Sequence, residues 1–522
     1  MEVTQSPIRF LTESERLHAS KEAVVCKGER LTYQRLGERV RRAAAALSAL
    51  GVVKGDRVAY LGLNCHRLVE LYYAVPGLGA ILSPLNVRLT QPELEFILGD
   101  LGAKLLITDS ALAPLAGRLE GALGGRVICL DGQDHPAHWL DYETLLAAAE
   151  PTDQLGSTIS ESDVAEIFYT SGTTGRPKGV MLTHRNLYSH ALGVAISLPV
   201  RPDEVQLVGT VPLFHVNGWG APHYIVAMGA TQVVTARFDV EEFFRLVKAE
   251  RVTLAMMVPS MLAALLVAAP AHQGELDALE HIMIGGAPPP PTLIRAARHD
   301  LGVRCTVGYG LSETSPVLTI ANVTPELSGL PLDEQDEFRA RTGIPIIGVE
   351  VRVMDQDGHE VAWDDETIGE IWARADSVST GYWNRPAETA EVFIDGWFHT
   401  GDMAVVNRHG YLQIVDRKKD IIISGGENIS SVEVENALYS HPAVLEAAVV
   451  AVPDEKWGEV PYAFVALKPQ ATASAEELIA HLRGRLAGFK IPRNIEFRPE
   501  LPKTGTGKVM KQELRRPFWP GR

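Results

Sequence analysis

The segment Tyr169-Thr170-Ser171-Gly172-Thr173-Thr174-Gly175-Arg176-Pro177-Lys178-Gly179-Val180 gathers four hydroxyl residues, three glycines and two cations into twelve positions. A packed core has no use for that composition. A loop wrapped around a polyphosphate does: glycines free backbone N–H groups to face an anion, hydroxyls add donors, and a lysine supplies a mobile positive charge. The spacing is not that of a Walker loop, which needs Gly-Lys-Ser/Thr four residues after its first glycine. Here Pro177 stands five positions after Gly172, and it disfavours helical geometry at Arg176. The plain alternative is a solvated Ser/Thr/Gly turn.

Three further segments carry residues suited to the same chemistry. Gly308-Tyr309-Gly310-Leu311-Ser312-Glu313-Thr314 offers an aromatic ring for a purine and a carboxylate for a hard cation such as Mg2+. Asp402, in Thr400-Gly401-Asp402, is either an Asx-turn residue or an acceptor for ribose hydroxyls. Leu501-Pro502-Lys503-Thr504-Gly505-Thr506-Gly507-Lys508 presents Lys508 on a flexible turn, and Pro502 stands where a Walker reading needs glycine. The cluster Asp416-Arg417-Lys418-Lys419-Asp420 reads as a solvated turn between apolar strands.

The elements that must hold these segments follow from periodicity. Residues 33–50 and 67–73 read as helices, with strands at 57–61, 104–108 and 126–130. After the loop, strand patterns recur at 206–211, 231–235, 254–258, 281–284 and 304–307. Strand–helix alternation of this kind marks parallel sheets covered on both faces. Beyond residue 342, alternation at 348–354, an Asp-Gln-Asp-Gly turn and a run at 368–373 predict a small antiparallel barrel. The last hundred residues alternate as a compact α+β domain. The expected fold is α/β: two doubly wound sheets (about 1–160 and 161–341) plus a β-rich part (342–416) in a domain of residues 1–418, followed by a smaller mobile domain, 419–522.

Composition bounds the function. The chain has 522 residues, 46% hydrophobic and 22% charged, as in a soluble globular protein of several domains. A net charge of −16 argues against nonspecific nucleic-acid binding. Four dispersed cysteines, with no C-x-x-C pair, exclude a thiolate zinc cluster and fit buried thiols in a reducing cytoplasm. No signal peptide is visible at Met-Glu-Val-Thr-Gln-Ser-Pro. The longest apolar run, 252–270, is broken by Pro259-Ser260, so a strand followed by a helix capped by Ser260 is expected rather than a membrane span.

In their order and spacing, residues 169–180, 308–314, 400–402, 416–429 and 502–508 resemble the signatures of the adenylate-forming superfamily. The likeness runs from about residue 10 to 514. Val211-Pro212-Leu213-Phe214-His215-Val216-Asn217-Gly218-Trp219 and Ser424-Gly425-Gly426-Glu427-Asn428 look most like bacterial medium- and long-chain fatty acyl-CoA ligases. The resemblance implies a two-step reaction using ATP, Mg2+ and CoA: a carboxylate forms acyl-AMP and pyrophosphate, then the C-terminal domain rotates and a thiol displaces AMP. It also implies roles. Thr170, Ser171, Gly172, Thr173, Thr174 and Lys178 would cradle the β/γ-phosphates, with Thr170 and Glu313 at the metal. Gly286 and Tyr309, with Gly308 beside them, would flank adenine. Ser312 would meet the α-phosphate, and Asp402 with Arg417 the ribose. Lys508 would bridge carboxylate and α-phosphate, Lys419 would be the hinge, and Gly425-Gly426 would line the pantetheine tunnel.

The acid would lie among His215, Val216, Trp219, the Gly285-Gly286-Ala287 turn and 308–310, with Trp219 gating an apolar tunnel. Those segments contain no lysine or arginine. A medium- or long-chain fatty acid is expected first, and an aryl or cinnamoyl-type acid second. A carrier protein replacing CoA is a further alternative, and the resemblance leaves a homodimer possible. Val307, Ile423 and Asn428 depart from residues common at these positions in related enzymes.

Overall fold

A computed structural model describes residues 3–123, 126–131, 135–170, 176–425, 427–503 and 509–519. Two compact units emerge from its contacts. The larger contains residues 1–351 and 373–399, the smaller 352–372 and 400–522.

The larger unit is built on two mainly parallel sheets. Seven strands run in the order Leu140–Asp141, Arg126–Cys129, Leu105–Thr108, Arg57–Leu61, Ile81–Pro84, Val164–Thr170, Lys178–Thr183. In Arg57–Leu61, Val58 and Tyr60 enter one apolar cluster while Ala59 and Leu61 enter another. Period-2 alternation with apolar residues on both sides means that both faces are covered, as the sequence pattern required. The nine-stranded sheet contains Arg304–Gly310, His281–Ile284, Leu254–Met257, Val205–Val208 and Thr231–Val234, and its two faces are likewise buried: Met283 packs into one cluster, Ile282 and Ile284 into another.

The sheets exchange strands, which periodicity did not reveal. The hairpin Glu22–Cys26/Glu29–Thr32 joins the nine-stranded sheet, Val24 and Val25 lying parallel to Gln232 and Val233. The hairpin Val164–Thr170/Lys178–Thr183 ends the seven-stranded one. A cut near residue 160 therefore does not separate the sheets. A second correction concerns the helix after Leu254–Met257. It begins at Pro259 with Val258 as its N-cap, not at Ser260. Proline suits the first helical position because its φ is preset and its missing N–H has no helical partner to lose.

Strands Val349–Met354, Gly369–Ala375, Trp397–Val406, Phe393–Ile394 and Leu412–Arg417 make a curled five-stranded half-barrel. In the smaller unit, the long hairpin Val444–Asp454/Gly458–Leu467 carries Ile422–Ser424 and Asn494–Phe497 on its second strand. Helices Ser431–Tyr439 and Ala475–Arg483 cover this sheet with Val434, Leu438, Leu478 and Leu482. This is the expected α+β domain. No helix among the described residues is long and apolar enough to cross a membrane.

Candidate active site

Thr170 ends strand Val164–Thr170 and stands opposite Lys178, the first residue of the returning strand. The loop residues Ser171, Gly172, Thr173 and Thr174 lie outside the described residues, as do Gly426 and Lys508. Lys178 is ion-paired with Glu388, and its Nζ lies 5.2 Å from the centre of the Tyr382 ring. The Tyr382 hydroxyl donates to Glu313 Oε1 at 2.8 Å. Burial, and then the Glu313 carboxylate, push the Tyr382 hydroxyl well above its usual range, so it is protonated and can donate.

Glu313 sits in the single turn Ser312–Thr314, directly after the strand that ends in Gly308-Tyr309-Gly310. The Glu313 carbonyl accepts from Ser379 N at 2.7 Å, and Ser315 Oγ donates to the Ser377 carbonyl at 2.7 Å. Ser312, Tyr309 and Glu313 are thus brought into one short stretch of chain, with Tyr309 half-buried and Gly308 buried. The Glu313 carboxylate, held by the Tyr382 hydroxyl, is a hard oxygen donor of the type that Mg2+ takes. Sequence reasoning missed Tyr382 and Glu388, which lie far along the chain from their partners.

The residues expected to face the acid are tightly packed. Trp219 is buried, and a Cβ added at Gly285 would fall 2.6 Å from its ring. The backbone from Val216 to Gly220 is left-handed throughout, with φ between 45° and 87°. For valine and tryptophan that conformation is strained by roughly 1–2 kcal/mol each. A buried polar network holds it. Asn217 Nδ2 donates to Glu166 Oε2 at 2.8 Å, Asn217 Oδ1 accepts from Gly220 N at 2.6 Å, and His223 Nε2 lies 2.8 Å from Glu166 Oε1. Just before the turn, the Tyr72 hydroxyl donates to the Leu213 carbonyl at 2.7 Å and Asn64 Oδ1 accepts from Leu213 N at 2.8 Å. Glu166 and His223 were also missed. The signal was present in a charged residue inside the apolar strand Val164-Ala165-Glu166-Ile167-Phe168. His215 is exposed, and Val216 is buried. Gly286 has φ +79°, open to glycine and unfavourable for other residues. Val307 is buried in the apolar cluster beneath the nine-stranded sheet.

In the smaller unit, Asp402 and Arg417 form a cross-strand pair, with Arg417 Nε 2.9 Å from Asp402 Oδ1. Asp402 is buried while Arg417 is half exposed. Glu370 fixes the approach: its carboxylate accepts from Gly401 N at 3.1 Å and from Lys418 Nζ at 2.9 Å. Lys419 lies in the turn after strand Leu412–Arg417, and its carbonyl accepts from Arg515 Nη1 at 2.9 Å. Asp416 Oδ2 accepts from Ser431 N and Oγ at 2.5 and 2.6 Å, and Lys511 Nζ reaches Ser431 Oγ at 2.6 Å. Gly425 has φ +61°, and its N–H donates to the Trp457 carbonyl at 2.8 Å. A cavity of about 550 Å³ nearby is lined by Asp454, Lys456, Trp457, Tyr462 and Arg493. Ile423 is exposed, and it faces Asn428 across the ladder.

Residues 11–383 match the family model described as AMP-binding enzyme, and 433–508 match the AMP-binding enzyme C-terminal domain. The chain belongs to the AMP-binding enzyme family. It is 40% identical to a feruloyl-CoA synthase of Amycolatopsis sp over 501 residues, covering 94% of each chain. It is 38% identical to a long-chain-fatty-acid–CoA ligase of Thermus thermophilus over 519 residues, covering 98% of this chain and 95% of the other. Among solved structures it is similar to o-succinylbenzoate CoA synthetase from Bacillus subtilis in complex with its acyl-adenylate intermediate. The TM-score is 0.84 at 31% identity, with 98% of each chain covered. The family member is an AMP-forming acid–thiol ligase whose chemistry uses ATP, Mg2+ and CoA.

Proposed function

We propose that this acyl-CoA ligase activates a medium- to long-chain fatty acid. The observation that carries the reading is the buried Trp219 over Gly285, among acyl-side segments (214–219, 285–287 and 308–310) that contain no lysine or arginine. A second carboxylate on the acid would find no lysine or arginine there, which favours a substrate whose body is neutral and apolar. A second reading is an aryl acid, favoured by the feruloyl-CoA synthase relative.

The residue roles are proposed together. Lys178 and Thr170, with Ser171 to Thr174, bind the β/γ-phosphates. Gly286 and Tyr309 take the adenine, Ser312 the α-phosphate, and Asp402 with Arg417 the ribose. Glu313 and Thr170 hold Mg2+, which when bound offsets triphosphate charge. Carboxylate and triphosphate repel, so the site must neutralise several negative charges before in-line attack on the α-phosphorus. Lys508 does this at the attacking oxygen without losing its proton. Pyrophosphate leaves; in the second step a thiol attacks the acyl carbon and AMP leaves. Lys419 is the hinge, and Gly425-Gly426 border the thiol's path. The cavity beside Gly425 supports CoA as acceptor: Lys456, which lies over the Trp457 ring, and Arg493 offer charge for phosphates. The four separate thiols support a cytoplasmic location.

Pyrophosphate release across straight-chain acids from acetate to stearate, with benzoates and cinnamates alongside, tests the proposal. Highest kcat/KM on medium or long chains with CoA is expected, and mass spectrometry should find the acyl-CoA. Highest kcat/KM on an aryl acid would select the second reading. Activity with amino acids alone would overturn both.

A further inference from the structure

The segment around Tyr382 runs beside strand Lys178–Thr183 and is bonded to it at several points. Met181 N donates to the Gly381 carbonyl at 3.0 Å, Trp383 N to the Gly179 carbonyl at 2.7 Å, and Val180 bridges Tyr382. Its far side is anchored as well: Asp100 accepts from Tyr169 Oη at 2.8 Å and from Arg385 Nη2 at 3.0 Å. Thr389 Oγ1 accepts from Tyr382 N at 3.0 Å. The ring therefore has little freedom. One side chain then meets two ionic groups of opposite sign, donating to Glu313 through its hydroxyl and facing Lys178 with its ring, while Glu388 holds the same ammonium group.

We propose that Tyr382 is a positioning residue that sets the metal-binding carboxylate through its hydroxyl and the phosphate-binding lysine through its ring, with Glu388 as the lysine's resident counter-ion. This rests on the reading of Glu313 as a metal ligand and Lys178 as a phosphate ligand. A carboxylate with one oxygen fixed by a donor presents the other in a defined direction, and loss of such a support weakens metal binding by about 10–100-fold. A ring facing an ammonium group is worth less, about a fivefold change in affinity when removed.

The two functions are separable in the full-length protein. Tyr382→Phe keeps the ring and removes the hydroxyl, whereas Tyr382→Leu removes both. Mn2+ binding would be followed by electron paramagnetic resonance in the presence of a non-hydrolysable ATP analogue, and metal-free ATP binding by calorimetry in EDTA. The Phe variant should weaken Mn2+ binding at least tenfold and leave metal-free ATP binding unchanged; its apparent Mg2+ constant for pyrophosphate release should rise while KM for the acid stays constant. The Leu variant should weaken metal-free ATP binding as well, by about fivefold. Unchanged Mn2+ binding in the Phe variant, with Glu313→Gln losing it, would overturn the proposal and spare the metal reading. Unchanged Mn2+ binding in Glu313→Gln would remove the metal reading and the proposal with it. Equal losses of metal-free ATP binding in the Phe and Leu variants would overturn the division of labour.

Discussion

In the larger unit, the acyl-side residues are held on all sides: Trp219 lies on the Gly285 backbone, a left-handed turn is tied to Glu166, and a Cβ at Gly310 would fall 1.7 Å from the Pro316 carbonyl oxygen. In the smaller unit, Asp402 is anchored but Arg417 is half exposed, and Lys419 lies in an exposed turn held through its carbonyl by the arginine of a terminal helix. A cradle that aims reacting groups gains from immobility, because misplacement of about 1 Å forfeits orientation. A hinge needs the opposite: a few exposed positions whose φ/ψ can change. The two regions differ in the way that these two proposed tasks require.

The contrast breaks most visibly at Gly310. The clashing atom is backbone oxygen, which cannot swing away, so Gly310→Ala should destabilise the larger unit by about 3 kcal/mol. Lys419→Ala should change stability by less than about 0.5 kcal/mol. Chemical denaturation of both variants checks this, and equal losses would remove the distinction. Lys508→Ala should lower acyl-AMP formation by about 10²-fold or more. Transfer from preformed acyl-AMP to CoA should survive, as single-turnover assays of each half-reaction will show.

A smaller effect follows from the histidines. Burial pushes His190 and His281 down to about 3, and His66 and His184 down to about 4, all in the larger unit. The unfolded chain takes up these protons near pH 6.5, and the folded unit only near pH 3–4. The unfolded state therefore binds more protons as pH falls below 6.5, and the larger unit loses up to about 1.4 kcal/mol per histidine per pH unit. In the smaller unit, His481 is lowered without comparable burial. Hydrogen exchange at pH 7.5 and 5.5 should show protection falling first in the larger unit; a uniform fall would contradict the comparison.

Much of the fold was legible because its strands are short, apolar and regularly separated by helices. His281–Ile284 and Arg57–Leu61 were read with their observed bounds. The strand exchange was not, because the pairing of Val24 with Gln232 is set by two hundred residues of intervening packing. Among the proposed site residues, Glu313 and Lys178 stand out in the sequence by chemistry and spacing, and Asp402 with Arg417 by the order of motifs, and the structure pairs the last two across strands. The left-handed turn does not stand out, since Val216 and Trp219 locally oppose that geometry and it is held by contacts distant in sequence, from Glu166, Tyr72 and Asn64. Tyr382 and Glu388 were hidden for a related reason: their partners are contacts across the fold rather than neighbours in a motif.

The claim that the larger unit is a fixed cradle and Lys419 a true hinge is tested most directly by Lys419→Pro. Proline fixes φ near about −65° and should trap one arrangement of the chain at that point. Measured separately, acyl-AMP formation and thioester formation should diverge, one persisting near the parent rate and the other collapsing. If both half-reactions persisted, or both fell by the same factor, the hinge assignment would be contradicted.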